Sequence, residues 1–177
     1  MEELEIRPNK TVFKWAALVA LIMILLIYVF YFADVDQKSF LNYVSYLPFL
    51  GGLVMAVKTH RDAELGGYIS FGRAFSTGFR YSSLLSIFMG LFMLVYFKWL
   101  NPEVLEQGLN EAENQMLDQG KSSSEIDTAM GLARSWGPYF AALGTSIMYT
   151  LTGAVASLVF AYIFKREKPI FESSEEA

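Results

Sequence analysis

Four stretches of this chain, residues 15–33, 40–57, 81–97 and 135–164, contain no charged side chain. A helix needs about 20 predominantly apolar residues to cross about 30 Å of hydrocarbon, so each stretch reads as a membrane span. The alternative is four core helices of a water-soluble domain. That would leave almost no polar face to meet water, and the composition does not supply one: apolar residues make up 54% of the chain and charged residues 18%, against about 25% charged in ordinary globular proteins. The expected fold class is therefore all-α, an integral membrane four-helix protein.

The four runs differ in quality. Residues 15–33 carry no strongly polar side chain, whereas 40–57 is short and holds Asn42, Pro48, Gly51 and Gly52. Arg7, Lys10 and Lys14 precede the first run as the basic region of a signal peptide would. The run is too long for such a peptide, and no small-x-small cleavage site precedes Asp34, so it is read as an uncleaved span. The last helix is expected to start near Tyr139, after Gly137 and Pro138 break the chain.

Orientation follows from the basic residues that flank the spans. With four spans both termini lie on one side, which together with the second loop holds Arg7, Lys10, Lys14, Lys58, Arg61, Arg73, Arg80, Lys165, Arg166 and Lys168. The other side holds Lys38, Lys98, Lys121 and Arg134. Ten against four places both termini in the cytoplasm. Trp15, Tyr68 and Tyr162 then fall at the inner boundary, and Tyr31, Tyr96, Trp99, Trp136 and Tyr139 at the outer one. The expected layout is a cytoplasmic segment 1–11, spans 12–33 and 40–57, a cytoplasmic interfacial loop with a lead-in helix at 58–76, span 77–98, an external acidic segment 99–138, span 139–164 and a cytoplasmic acidic tail 165–177.

Apolar side chains gain little by leaving lipid for protein, so spans associate where small residues let backbones approach. Gly78, Ser82, Ser86 and Gly90 recur every four residues on the third span. The fourth offers two ladders, Ala142, Ser146, Thr150 and Ala154 on one face and Gly153, Ser157 and Ala161 on another. One would mate with the third span, the other with the second span or a second chain. A polar path lined by these hydroxyls is the alternative, although Ser and Thr within a helix can satisfy themselves on their own carbonyls.

Two segments outside the spans have patterns of their own. At 60–79, Gly66 and Gly67 make a break and Ser70 can cap a helix from Phe71. Tyr68, Phe71 and Phe75 form an apolar side, and Arg73 and Arg80 can reach lipid phosphates; a re-entrant or gating role is the alternative to this interfacial anchor. The segment 99–138 is too long for a bare connector. Asn101 and Pro102 read as N-cap and first helical residue, Leu105, Leu109, Ala112 and Met116 make an apolar stripe, and Gly120 and Lys121 end it. Ser122 with Glu125 reads as a capping box opening a second helix striped by Ile126, Met130 and Ala133, which ends before Gly137. The expectation is an extracytoplasmic helical hairpin between spans three and four. Seven acids (Glu103, Glu106, Glu111, Glu113, Asp118, Glu125, Asp127) against Lys121 and Arg134 give it a net charge of -5. Glu106, Asn110 and Glu113 share one face, but hard cations usually want six or more oxygens, partly from loops, so a solvated face is the expected reading.

Chemistry is sparse. The chain has no cysteine and one histidine, His60, which excludes a disulfide framework, a thiolate metal centre and a cysteine nucleophile. No Asp, Glu, His or Lys lies within the four apolar cores, where intramembrane catalysis or proton coupling would need one, although backbone carbonyls at Gly51 and Gly52 beside Pro48 could still bind a cation where a helix breaks. No Walker A, dinucleotide glycine motif or H-E-x-x-H occurs. The formal charge of -4 lacks the basic footprint of nucleic-acid binding. No catalytic, cofactor or metal residue is expected, and an enzyme is not.

GGYISFGRAFSTGF ahead of the third span, YFKWLNPEVLEQ at its end, the Gly-Lys-Ser-Ser-Ser break and a Gly/Ser-rich last span ending in Ile-Phe-Lys-Arg-Glu resemble the bacterial family catalogued as domain of unknown function 4199, over roughly residues 10–168. The resemblance implies a four-span inner-membrane protein of Bacteroidota-like bacteria with an external helical insertion; it carries no activity or cofactor. Two functional expectations remain. The first is a non-catalytic scaffold or interaction protein, anchored in the lipid bilayer, whose surface of Glu103, Glu106, Glu111 and Glu113 docks a second copy or another membrane protein. The alternative is a small oligomeric transporter or channel subunit.

Overall fold

A computed structural model describes residues 9–33, 35, 43–44 and 46–167 of the chain. The N-terminal residues 1–8, the front of the expected second span (40–42 and 45) and the acidic tail from 168 onward lie outside the described residues. Every named element is a helix: α1 (Asn9–Phe32), α2 (Tyr46–Thr59), α3 (Phe71–Val95), α4 (Pro102–Asp118) and α5 (Ser123–Phe164). A π-helical turn, His60–Glu64, continues α2, and a second, Tyr96–Leu100, continues α3.

Among the described residues, three helical stretches are long and apolar enough to cross a membrane, Lys10–Phe32, Phe71–Leu100 and Ser123–Phe164. Of the four expected spans, the first, third and fourth correspond to helices of spanning length. α2 has 14 residues, about 21 Å at about 1.5 Å per residue, less than a hydrocarbon core.

The chain divides into two compact units, Met1–Ser86 with Met148–Ala177, and Ile87–Ile147. In the first, Val12, Ala16, Val19, Ala20 and Met23 form the buried stripe of α1 and Phe49, Leu53, Ala56 and Val57 that of α2. Their spacing of three and four residues keeps each stripe on one face. The opposite face of α1 exposes Phe13, Leu18, Leu21, Leu25, Val29 and Phe32, a surface that costs nothing in hydrocarbon and a great deal in water. Gly52 is where three helices meet: a Cβ there would run into the Tyr81 hydroxyl of α3 and the Val19 methyl of α1. The Tyr81 hydroxyl donates to the Phe49 carbonyl at 3.0 Å. Past the π turn, Gly66 and Gly67 take positive φ values of 65° and 92°, a region closed to most L side chains, and reverse the chain toward α3. Ser70 caps α3, its hydroxyl accepting from the Arg73 amide at 3.4 Å. The expected lead-in helix is therefore the first turns of α3 itself, because no breaker separates Phe71 from the apolar run that follows.

In the second unit Leu109, Ile126 and Met130 form a buried cluster flanked by Leu105, Ala112, Met116, Ala129 and Ala133. α4 stops at a Schellman-type turn: Gly120 adopts φ 73°, its amide donates to Leu117 and the Lys121 amide to Met116, at 2.9 and 3.1 Å. Ser122 and Glu125 close their capping box, the Ser122 amide donating to the Glu125 carboxylate at 3.0 Å and the Glu125 amide to the Ser122 hydroxyl at 3.4 Å. Asn101 occupies the N-cap position of α4 without a side-chain cap; its amide nitrogen donates to the Tyr96 hydroxyl at 3.3 Å instead.

The expected break before Gly137 does not occur. α5 runs 42 residues with Pro138 inside it. Proline removes one backbone hydrogen bond and crowds the preceding turn, but the turns on either side keep theirs. Gly137 also brings the backbone against the Leu105 side chain, whose Cδ1 would lie 3.3 Å from a Cβ at that position.

Candidate functional site

Three groups of residues carry the polar chemistry of the chain. The first joins α3 to α5. Gly78 faces Ser157, whose hydroxyl would lie 2.6 Å from a Cβ at that glycine, and Gly153 lies against the Ser82 side chain. Thr150 donates to the Ser86 hydroxyl at 2.9 Å. In the second unit Gly90 lies against the Ser146 hydroxyl. In the first unit residues 150, 153 and 157 therefore belong to one seam on α5, whereas the sequence reading divides them between two faces. Strict four-residue steps drift about 40° per step around a helix of 3.6 residues per turn, and alternating steps of four and three do not. Three hydroxyls of α3 also bond within their own helix: Ser82 to the Gly78 carbonyl at 3.0 Å, Ser86 to the Ser83 carbonyl at 2.7 Å and Thr77 to the Arg73 carbonyl at 2.8 Å. The Ser157 hydroxyl is buried with no hydrogen-bond partner.

The second group lies around the π turn after α2. Thr11 of α1 donates to the Glu64 carboxylate, His60 Nδ1 stands 2.6 Å from the other Glu64 oxygen, and the Trp15 indole donates to the Thr59 hydroxyl at 3.1 Å. His60 is only 2% exposed. Both partners of Glu64 converge on one carboxylate, which ties α1 to the end of α2. A nucleophilic site would instead set the hydroxyl on the imidazole. Sequence reasoning uses His60 only to exclude a metal cluster and leaves Glu64 without a role, because nothing near either residue in the chain marks Thr11 as a partner. Arg61 grips Asp62 with two nitrogens, at 2.6 and 3.1 Å. That contact raises the Arg61 pKa and holds the Asp62 carboxyl below its ordinary range, with the charges of Lys58 and Arg166 adding to the effect on Asp62.

The interfacial residues fall beside this group. Tyr68 is half-buried, with the Arg166 guanidinium 5.6 Å from its ring centre. Ile69 and Arg166 exchange backbone hydrogen bonds of 2.8 Å each way. Phe71 and Phe79 are exposed, Phe75 stacks on Phe79 at 5.9 Å, and Arg73 and Arg80 are exposed along α3.

The third group is the acidic surface. Arg134 reaches Glu106 at 3.3 Å and Glu113 at 4.0 Å, so these two carboxylates share a cation of the chain. Glu103 and Glu111 are exposed on α4. Among the described residues no three His, Asp or Glu side chains converge in a way that could hold a metal ion. Nearby, the Lys98 ammonium donates to the Tyr139 hydroxyl at 2.8 Å and lies 5.4 and 4.7 Å from the ring centres of Trp99 and Tyr139.

No curated protein and no solved structure matches the chain. The model of one family, described as Protein of unknown function (DUF4199), matches residues 14–166, which span the helical seam, the π turn and the acidic surface alike. The chain belongs to that family.

Proposed function

We propose that the protein is a non-catalytic scaffold of the bacterial inner membrane. It crosses four times, α2 with the residues ahead of it supplying the short second crossing, and both termini are cytoplasmic. α4 and the first turns of α5 form an extracytoplasmic hairpin that recruits a basic partner, either another membrane protein or a second copy of the chain. The observation that carries this reading is a separately packed helical segment with seven acids against two basic residues, on a connection that a turn of a few residues would have served. Complementary charge of this kind steers association and makes it salt-sensitive.

Replacing Glu103, Glu106, Glu111 and Glu113 together with glutamine should leave helicity by circular dichroism intact and remove salt-sensitive partners recovered by crosslinking in native membranes. An unchanged set of crosslinked proteins would sink acidic docking. The Ser157 hydroxyl, buried without a partner, favours a second reading, a small transporter or channel subunit with a polar route along α3 and α5. The bonds that the neighbouring hydroxyls make to their own helices weigh against it. Flux of ions or small solutes into reconstituted liposomes, absent in Ser157→Ala, would decide for transport.

A further inference from the structure

The end of α2 and the end of α5 bring together more positive charge than their own carboxylates neutralise. Lys58 lies in the last turn of α2 and is exposed. Arg61, on the π turn, lies 5.9 Å from the Phe164 ring centre at the last residue of α5. Arg166 follows two residues later, fixed by its backbone pairing with Ile69 and by the Tyr68 ring beneath its guanidinium. Both Asp62 oxygens are taken by Arg61, and Glu64 is taken by Thr11 and His60. Lys165, 5.0 Å from the Tyr162 ring centre, and Glu167 flank Arg166 and offset each other in charge. Among the described residues no carboxylate lies at ion-pair distance from Lys58 or Arg166.

The surroundings say what meets this charge. Tyr162 and Ile163 are 68% and 58% exposed, so the apolar surface of α5 continues to within three residues of Arg166. Where such a helix leaves hydrocarbon, the anions at hand are lipid phosphates, and basic groups gathered between helix ends hold anionic headgroups. We propose that Lys58 and Arg166, with the Arg61–Asp62 pair holding the turn between them, seat the phosphate of an anionic lipid. This rests on the membrane reading above.

Trp15 provides the probe, since its indole bonds Thr59, the neighbour of Lys58. With Trp99→Phe and Trp136→Phe in the full-length protein, Trp15 fluorescence is followed in bilayers containing acyl-brominated phosphatidylglycerol or phosphatidylcholine. The brominated anionic lipid should quench with the higher apparent association constant. Lys58→Gln and Arg166→Gln should each lower that preference about fivefold, the factor that about 1 kcal/mol per basic side chain represents. Asp62→Asn, which keeps every cation, should raise it. Equal quenching by the two lipids would overturn the proposal while leaving the membrane reading in place, and no quenching by either would overturn both. Loss of the preference on adding millimolar inorganic phosphate, at constant ionic strength, would make this a site for free phosphate and overturn the lipid assignment.

Discussion

Gly51 and Gly52 are adjacent in the sequence and opposite in consequence. A methyl at Gly51 meets nothing within 4 Å, while one at Gly52 meets Tyr81 and Val19. Alanine is the better helix former by about 1 kcal/mol, so Gly51→Ala should hold or raise the thermal midpoint in detergent. Gly52→Ala should lower it, overpacking costing about 1–3 kcal/mol. Equal midpoints would mean that α1, α2 and α3 do not approach as closely as Gly52 indicates. A similar contrast applies on α3. Ser86 is 3% exposed and bonded to Thr150, whereas Leu91 is 58% exposed. Ser86→Leu should therefore destabilise the protein in the same assay and Leu91→Ile should not; matched losses would remove the case for the seam. Leu84 is half-buried and serves less well as a control.

α5 shows how local signals and tertiary packing divide the work within one element. Its start is local: Ser122 and Glu125 satisfy one another's amides three residues apart, and the backbone bond from Ser122, followed by the hydroxyl bond, pulls the Glu125 carboxyl below its ordinary value of 4.5. A carboxyl whose folded pKa is depressed stabilises the folded chain above its unfolded pKa, and that contribution fades as the pH falls through the folded value. The Ser122 amide resonance, followed by NMR in detergent, should therefore titrate with a midpoint below 4.5, and Glu125→Ala should abolish the titration. A midpoint at or above 4.5 would show that the carboxylate does not accept this bond. The helix's passage through Pro138 is not local. Gly137 followed by Pro138 reads as a stop, and only the surroundings, with Leu105 against Gly137, show why the turn is kept.

For the molecule as a whole the proposed topology makes a direct prediction, and the absence of cysteine makes it clean to test. Single cysteines at Ser123, the exposed first residue of α5, and at Glu167, exposed past its end, should differ in intact spheroplasts. A membrane-impermeant maleimide should label the first and leave the second unlabelled until the membrane is opened. The reverse pattern would invert the protein, and labelling of both would place the ends of α5 on one side.

The sequence by itself determined the helical class, the caps at Ser122 and Gly120, and the stripe of Leu109, Ile126 and Met130, because each depends on side chains within a few residues or on the free energy of removing charge from water. It also placed small residues where helices meet, since only they permit close backbones. Their partners were another matter. The seam at 150, 153 and 157 reads as two faces until α3 lies against it, and Thr11 gives no local sign that it bonds Glu64, 53 residues away. Tyr81 likewise finds a carbonyl 32 residues back. Such contacts arise between segments whose separation along the chain carries no information about their distance in space, so a hydroxyl or carboxylate that is ambiguous in one dimension acquires its role only when the helices pack.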